Sequence, residues 1–376
     1  MQFWTKATIK AMRIALVVTP PNEPNLCLAA QIGVDDIVGR YTGRSLQDLL
    51  KLRDRVSAVG LRLSVIEGYV PHDQIVSGGA QRDQQIADFQ QLIRNMGEVG
   101  VPICCYNFMP DEEWSRSSIS TPERGGAFVT AFDADLASNT RRGPAAPIDS
   151  EQMWVNLEYF LQAIVPVAEA SNVKLAMHPD DPPMPFLYGQ HRIMSRLSDF
   201  ERLVQLVPSP VNGVCFCQGC FAEMGEDVPA AIRKLGPHIR YVHFRDVCGC
   251  VPRFRESFHD NGQTNMAEAM RAYFDIDFDG PMRPDHVPEL VGEHTGDIVG
   301  PKIPSDQITV DTFNGTDIPV PPGYTMMGRL FAVGYMRGLM HGAEESLSHA
   351  RTPSGGSELA ITKLVVGSER ESSSAT

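Results

Sequence analysis

The chain has 376 residues, of which 43% are hydrophobic and 21% are charged, an ordinary composition for a globular protein with a large apolar core. Its formal net charge of -13 argues against nucleic acid or an anionic membrane as the main partner. No apolar run approaches the roughly 20 residues that a membrane-spanning helix needs, so no membrane partner is expected.

The N-terminal segment, residues 1–11, is predicted to be a short extension ahead of the first strand. It resembles a secretory signal superficially, but Arg13 interrupts the apolar run and no small-residue cleavage site follows. The eight cysteines are therefore expected to be reduced, and some of them to bind metal. These features predict a cytoplasmic protein.

Short apolar runs alternate along the chain with amphipathic helical patterns. Eight of these runs are predicted to be strands: residues 13–18, 35–39, 61–68, 101–108, 173–178, 212–217, 239–244 and 280–286. A capping box at Ser45 and Asp48 opens one helix, which ends near Gly60, and apolar residues at helical spacing predict another over 150–170. Strands that are apolar on both faces and alternate with helices indicate a parallel sheet covered by helices.

Eight such units favour a closed (β/α)8 barrel, the TIM barrel fold, over an open sheet. One α/β domain is expected over residues 12–350. Its last strand is followed by an elaborated loop, residues 287–322, which is rich in Pro, Gly and Asp and is interpreted as a lid or a subunit contact. Residues 351–376 form a polar tail. The glycine-rich motifs of nucleotide-binding proteins are missing from the sequence.

The last four predicted strands end in side chains that bind metals: His178, Cys217, His243, and Asp285 followed by His286. The carboxyl ends of the strands in such a barrel open on one face, so these residues are expected to be neighbours in space. Two imidazoles, a thiolate and a carboxylate suit Mn²⁺, Fe²⁺, Co²⁺ or Zn²⁺, whereas the sulfur ligand disfavours Mg²⁺. The pattern predicts a divalent metal site.

Each of these residues also has a purely structural interpretation. A lone histidine at a strand end is more often a hydrogen-bonded structural residue, and a lone cysteine is more often a small buried hydrophobe. A structural zinc site could use Cys215, Cys217, Cys220, Cys248 and Cys250, but "CFCQGC" and "CGC" lack two paired Cys-x₂-Cys motifs. The coincidence at four consecutive strand ends favours the catalytic interpretation.

Several segments resemble the mannonate dehydratase family in order and roughly in spacing, over about residues 60–345. They are "CYNFMP" (105–110), "MHPDDPP" (177–183), "FCQG" (216–219), "VHFRDV" (242–247), "ESFHDNG" (256–262), "MRPDH" (282–286) and "PGYTMMGR" (322–329). The resemblance implies a xylose-isomerase-like barrel with a Mn²⁺- or Fe²⁺-type site. It also implies the dehydration of D-mannonate to 2-keto-3-deoxy-D-gluconate, a step of hexuronate catabolism.

Carried over position by position, the resemblance implies that His178, Cys217, His243 and Asp285 bind the metal. Dehydration removes the proton next to the substrate carboxylate and expels the neighbouring hydroxyl, which a Lewis-acid cation and an acid/base pair assist. The implied pair is His286 and Tyr324, and which of them removes the proton is left open. As a base, a tyrosine would need a nearby cation to lower its pKa from about 10.

Four further polar residues are predicted to bind the substrate. Arg245 and Arg329 are expected to bind its carboxylate or hydroxyl groups. His259 and Asn107 lie in matched segments and are expected to contact sugar hydroxyls. The carboxylates of Asp180 and Asp181 are predicted to orient metal-binding imidazoles.

Two other functions compete with the dehydratase hypothesis. A metal-dependent sugar isomerase or epimerase of the same barrel class also moves a proton beside a carbonyl, and a non-catalytic protein could bind a sugar acid through its metal. Retention of both His286 and Tyr324 beside all four ligands disfavours the non-catalytic protein. A homo-oligomer, a dimer or larger, is expected because large barrels often pair.

Overall fold

A computed structural model describes most of the chain, namely residues 12–18, 21–41, 43, 45–68, 70–110, 114–137, 146–293 and 323–351. The predicted N-terminal extension, residues 294–322 of the predicted long loop, and the tail from residue 352 lie outside the described residues. Within the described part of the chain, no helix has the length and apolar character needed to cross a membrane.

The strands, numbered in chain order, are β1 (Arg13–Val17), β2 (Asp36–Arg40), β3 (Arg62–Glu67), β4 (Ile103–Tyr106), β5 (Ser118–Pro122), β6 (Phe128–Asp133), β7 (Lys174–Met177), β8 (Phe186–Leu187), β9 (Gln190–His191), β10 (Asn212–Cys217), β11 (Ile239–His243), β12 (Val247–Cys250), β13 (Arg253–Glu256) and β14 (Pro281–Arg283). The α-helices are α1 (Glu23–Gln31), α2 (Leu46–Ser57), α3 (Asp73–Ser77), α4 (Arg82–Val99), α5 (Ser150–Ala170), α6 (Leu197–Leu206), α7 (Gln218–Glu223), α8 (Val228–Leu235), α9 (Met266–Asp275) and α10 (Met326–Arg351).

Eight parallel strands close into a barrel in the spatial order β1-β14-β11-β10-β7-β4-β3-β2. Each of the eight predicted strands supplies one of them, which confirms the (β/α)8 architecture. The two predicted helices are also present. The Ser45 hydroxyl accepts a hydrogen bond from the backbone N–H of Asp48 at 3.3 Å at the start of α2, and α5 buries its apolar face.

Strand alternation sorts the apolar side chains into two cores. One core fills the barrel and consists of Ala15, Val17, Val38, Val65, Ile103, Cys105, Ala176, Cys215 and Tyr241, together with Tyr324. The opposite faces of the strands pack against the surrounding helices in a larger apolar cluster. Because side chains alternate with a period of two, the residue two positions beyond an interior residue points again into the barrel, one layer nearer its C-terminal opening.

A second sheet, which sequence reasoning missed, flanks this opening. It is antiparallel, has four strands in the order β12-β13-β6-β5, and is built from the two connections that follow β4 and β11. The backbones of Phe128 in β6 and Glu289 exchange hydrogen bonds of 3.0 and 2.8 Å, which fastens the segment after β14 to this sheet. Its strands are short, and β5 is largely polar, so its signal was weak.

Candidate active site

A ring of polar side chains lies just above the interior core, at the C-terminal ends of the barrel strands. Each member stands two positions beyond an interior residue: Arg40 after Val38, Glu67 after Val65, Asn107 after Cys105, His178 after Ala176, Cys217 after Cys215, and His243 after Tyr241. Asp285 joins them from the end of β14. The parity of the strands therefore brings together residues that are distant in sequence.

The four predicted metal ligands meet in one cluster. One donor atom from each of His178, Cys217, His243 and Asp285 lies within 4.8 Å of all the others. His178 Nε2 is 3.1 Å from His243 Nδ1, which is 3.4 Å from Asp285 Oδ2, and that oxygen is 3.6 Å from the sulfur of Cys217. Ligand bonds of roughly 2.0–2.3 Å around a tetrahedral cation place ligands about 3.3–3.8 Å apart, so the cluster fits a divalent metal.

Neighbouring cations keep two of these ligands anionic. Burial opposes ionisation of the Cys217 thiol, but a hydrogen bond with Cys220 and the positive charge of Arg245 hold its pKa well below the usual value. Burial likewise disfavours the Asp285 carboxylate, but Arg283 above all brings its pKa well below the usual value. Thiolate and carboxylate are the forms that bind metal ions.

Both ligand imidazoles are oriented by oxygen atoms on their far side. His243 Nε2 is 3.2 Å from the Glu67 carboxylate, and His178 Nδ1 is 2.7 Å from the carbonyl oxygen of Pro179. When each of these nitrogens donates its proton to the oxygen, the other nitrogen keeps a lone pair that points into the cluster.

The Glu67 carboxylate is itself held by several donors. It accepts hydrogen bonds from Arg283 at 2.6 and 3.1 Å, from Arg40 at 3.1 Å and from the Tyr241 hydroxyl at 2.8 Å. Although burial raises the pKa of Glu67, Arg283 and His243 together bring it well below the usual value. Glu67 is therefore a charged anchor for His243.

His286 and Tyr324 lie next to each other at the edge of the ligand cluster. Their ring centroids are 5.3 Å apart, and His286 Nε2 is 3.9 Å from Asp285 Oδ1. The guanidinium carbons of Arg40, Arg283 and Arg329 lie 5.2–5.9 Å from the centre of the Tyr324 ring. The predicted acid/base pair thus stands beside the predicted metal ligands, with positive charge around the phenol.

Arg245 is fully buried and directs its nitrogens at protein acceptors. It pairs with Asp181, Glu223, Glu256 and Asp285 at 2.6–2.9 Å, and its Nε lies 3.4 Å from the sulfur of Cys217. A Cβ atom at Gly219 would lie 2.5 Å from this guanidinium group, so that position needs glycine. These contacts give Arg245 a supporting role behind the ligands, and its predicted contact with substrate stays a prediction.

The other predicted substrate-binding residues have different surroundings. Arg329 is 1% exposed, and neither terminal nitrogen has a hydrogen-bond partner among the described residues. Burial lowers its pKa to about 9. His259 is also fully buried and burial lowers its pKa to about 4, while the Asn107 side-chain oxygen accepts a hydrogen bond from the backbone N–H of Met109.

Sequence reasoning missed several charged residues at this site. Glu67 and Arg40 are the last residues of the observed strands β3 and β2, next to the ends of the predicted runs, so the argument applied to the last four strands would have found them. Glu256 is the last residue of β13 in the antiparallel sheet, and Arg116 lies just before β5. Neither stands at the end of a predicted strand, so the sequence pattern did not identify them.

Asp180 and Asp181 are the two carboxylates that the sequence predicts to orient imidazoles. Asp180 accepts a hydrogen bond from the backbone N–H of Met194 at 2.7 Å, and Asp181 pairs with Arg116 and Arg245. Glu67 is the carboxylate that orients His243.

The alternative of a structural zinc site receives no geometric support. All eight cysteines are free thiols. Among the described residues, the groups with metal-binding geometry include Cys105, Cys215, Cys217 and Cys220, but neither Cys248 nor Cys250. The last two lie on β12, in the flanking sheet.

The closed barrel, with a cluster of potential metal ligands at the C-terminal ends of its strands, defines a xylose-isomerase-like (β/α)8 protein. The crystal structure of an L-ribulose 3-epimerase has the same fold, with a TM-score of 0.58 and 13% identity, over 91% of this chain and 99% of that one. Within this class, the chain belongs to the mannonate dehydratase family: the family model described as D-mannonate dehydratase (UxuA) matches residues 26–146 and 143–299.

Individual relatives agree with this assignment. A mannonate dehydratase from Enterococcus faecalis is 32% identical over 295 residues, which is 68% of this chain and 82% of that protein. One from Oceanobacillus iheyensis is 32% identical over 320 residues, 78% of this chain and 84% of that protein. The crystal structure of mannonate dehydratase from Streptococcus suis matches with a TM-score of 0.76 and 29% identity, over 89% of this chain and 96% of that one. The protein is an enzyme of the hydro-lyase class.

The contact between Glu67 and His243 generates a first prediction. Replacing Glu67 by Gln removes the charge behind the ligand imidazole, so Mn²⁺ is expected to bind about 10- to 100-fold more weakly. Isothermal titration calorimetry of the metal-free protein with Mn²⁺ measures the change in affinity.

Asp36→Asn is the matched control, because Asp36 is a buried carboxylate paired with Arg13 and Arg62 at the opposite end of the barrel. It is expected to change Mn²⁺ affinity by less than about threefold, since it lies far from the ligands. Equal losses of affinity in the two variants would show that Glu67 acts only through stability.

Proposed function

We propose that the protein dehydrates D-mannonate to 2-keto-3-deoxy-D-gluconate and water, with a divalent metal bound by His178, Cys217, His243 and Asp285. One observation carries the proposal: in a chain of this family, four ligand atoms within 4.8 Å of one another lie beside His286 and Tyr324. The metal would act as a Lewis acid that stabilises the negative charge developed on the substrate.

Mn²⁺ or Fe²⁺ is the proposed metal, with Co²⁺ or Zn²⁺ as alternatives. The ligand set combines two neutral imidazoles with a thiolate and a carboxylate, which suits these borderline cations and disfavours Mg²⁺. The low pKa values of Cys217 and Asp285 support two ligands that are already deprotonated before the metal arrives. Although burial opposes protonation, Asp285 and Glu67 raise the pKa of His243, and Cys217 raises that of His178. Metal binding would therefore displace protons from these imidazoles.

The proton transfers are assigned to His286 and Tyr324. One of them would take the proton from the carbon next to the substrate carboxylate, and the other would protonate the hydroxyl that leaves from the next carbon as water. The resulting enol becomes the 2-keto product when its hydroxyl proton moves to the deoxygenated carbon. The two rings are adjacent and both are at least 94% buried, which keeps competing water away from them.

Arg329 is the proposed partner of the substrate carboxylate. Its terminal nitrogens are buried and lack a hydrogen-bond partner among the described residues, which is costly unless an anion completes the site. His259 and Asn107 are proposed to contact sugar hydroxyls. Arg245 is proposed to support the Cys217 and Asp285 ligands, because its Nε contacts both.

The proposed setting is hexuronate catabolism in the cytoplasm. Eight free thiols are the state that a reducing compartment favours. A homo-oligomer is proposed as well, because large barrels often pair, and residues 287–322 are the proposed contact segment.

The direct test is a product assay on purified protein loaded with Mn²⁺ or Fe²⁺. D-mannonate is expected to yield a 2-keto-3-deoxy acid, and other aldonic and uronic acids serve as the comparison panel. The His178→Ala variant should lose both metal, by elemental analysis, and product formation. An isomerised sugar acid with no loss of water, or no turnover by metal-loaded protein across the panel, would overturn the proposal.

Tyr324→Phe tests the acid/base pair. Removal of the phenolic hydroxyl is expected to lower kcat by about 10²-fold or more, because one proton transfer loses its donor or acceptor. Metal content should be unchanged. Tyr335→Phe, at a half-buried tyrosine on helix α10, which begins two residues after Tyr324, is the control and should keep the wild-type rate. A near-normal rate for Tyr324→Phe would reduce Tyr324 to a packing residue.

Arg329→Met tests the carboxylate site. Loss of the guanidinium group is expected to raise KM by about 10- to 100-fold, because a charged hydrogen-bonding partner of the substrate is removed. Arg337→Met is the control, since Arg337 is also on α10 but binds the carbonyl oxygen of Gly33. An unchanged KM for Arg329→Met would assign the carboxylate to another residue.

A further inference from the structure

The flanking antiparallel sheet delivers one carboxylate to the proposed acid/base pair. We propose that Glu256, at the end of β13, is a positioning residue for the reaction. It would hold the His286 ring with its proton on Nδ1, so that Nε2 is the atom that exchanges a proton with the substrate. The inference rests on the proposed function, and it adds to it a residue and a specific nitrogen atom.

The contacts around Nδ1 decide where the ring proton lies. His286 Nδ1 is 2.9 Å from Glu256 Oε1 and 3.4 Å from Arg116 Nη2. Arg116 Nη2 has two hydrogens, and it already donates to Glu256 Oε1 at 2.7 Å and to Asp181 Oδ2 at 3.1 Å. It has none left for Nδ1, so the hydrogen between His286 and Glu256 belongs to the imidazole.

The opposite nitrogen faces the reaction site. His286 Nε2 lies 3.9 Å from Asp285 Oδ1, on the side of the metal-ligand cluster. With Nδ1 protonated, the neutral ring carries its lone pair on Nε2, which is the geometry of a general base. The ring centroids of Trp114 and Tyr324 each lie 5.3 Å from that of His286, and this packing limits rotation of the imidazole.

Glu256 is buried and is held by several hydrogen-bond donors. It is 2% exposed, and its Oε1 also accepts a hydrogen bond from Arg245 at 2.6 Å. Burial raises the pKa of Glu256, but Arg245, His286 and Arg116 together lower it to about 2. A buried, ionised carboxylate therefore stands behind the imidazole, as a carboxylate does in other acid/base dyads.

The same buried cluster contains a matched control residue, Glu223. Its carboxylate is fully buried and pairs with Arg245 at 2.8 Å, as that of Glu256 does at 2.6 Å. In the part of the chain that the structure describes, no hydrogen bond or ion pair joins Glu223 to His286. Burial above all raises the pKa of Glu223 well above the usual value, so that a neutral side chain there changes little. Glu223 thus shares the packing of Glu256 without its contact to the imidazole.

The first measurement determines directly which nitrogen of the His286 ring carries a proton. Nitrogen NMR of protein labelled with ¹⁵N-histidine and loaded with diamagnetic Zn²⁺ reports which ring nitrogens carry protons, and His286→Asn identifies the signals of His286. A proton on Nδ1 is expected in the wild-type protein and supports the proposal. An unprotonated Nδ1 overturns it. This readout needs no turnover, so it remains decisive even if D-mannonate is not the substrate.

The second measurement compares substitutions at the two glutamates in the enzyme's dehydration reaction. Glu256→Leu removes the acceptor and is expected to lower kcat by about 10²-fold or more with little change in KM, whereas Glu256→Gln keeps an oxygen for Nδ1 and should lose less. Glu223→Leu and Glu223→Gln should each keep kcat within about threefold. Metal content, measured for each variant, should stay constant.

Equal losses of kcat for Glu256→Leu and Glu223→Leu would overturn the proposal, because the cluster would then act only by packing. A Glu256→Leu variant that keeps Nδ1 protonated and the wild-type kcat would overturn it as well. If Glu256→Leu does not fold, Glu256→Gln and the wild-type ring signals still decide the question.

Discussion

Buried positive charge is the condition on which the candidate site depends. Cys217, Asp285 and Glu67 are buried side chains that stay anionic at the mouth of a barrel whose interior is otherwise apolar. Isolated charges in such surroundings would be neutralised. Arg283 and Arg245 prevent this, because each contacts more than one of these anions and so compensates for their lost hydration.

These guanidinium groups also fix geometry across the barrel. Arg283, on β14, forms a two-nitrogen contact with Glu67 on β3, and Glu67 in turn holds the imidazole of His243 on β11. Side chains from three strands are thereby locked together on the ligand side of the barrel. A site organised in this way before substrate arrives has little reorganisation left to do during the reaction.

Much of this arrangement could be predicted from the sequence, because it follows from local patterns. Short apolar runs gave all eight barrel strands, and their polar ends gave the four clustered side chains, His178, Cys217, His243 and Asp285. The same alternation of side chains along β3 would have identified Glu67, which stands two positions after the interior residue Val65. Glu256 and Arg116 could not be found in this way, since they reach the site only through pairing between two connections that are about 120 residues apart. Pairing of that kind leaves no periodic signal in either segment.

The two ends of the segment that leaves the barrel after β14 are fastened close together. The Val287 backbone N–H donates to the Gly323 carbonyl at 2.8 Å, and the Glu293 carboxylate accepts from the Met327 N–H at 2.8 Å. Residues added between these two hydrogen-bonded contacts cost only loop-closure entropy, which grows slowly with the length of the loop. The length of this stretch can therefore change at little cost to the free energy of folding, and without displacing the side chains beneath it.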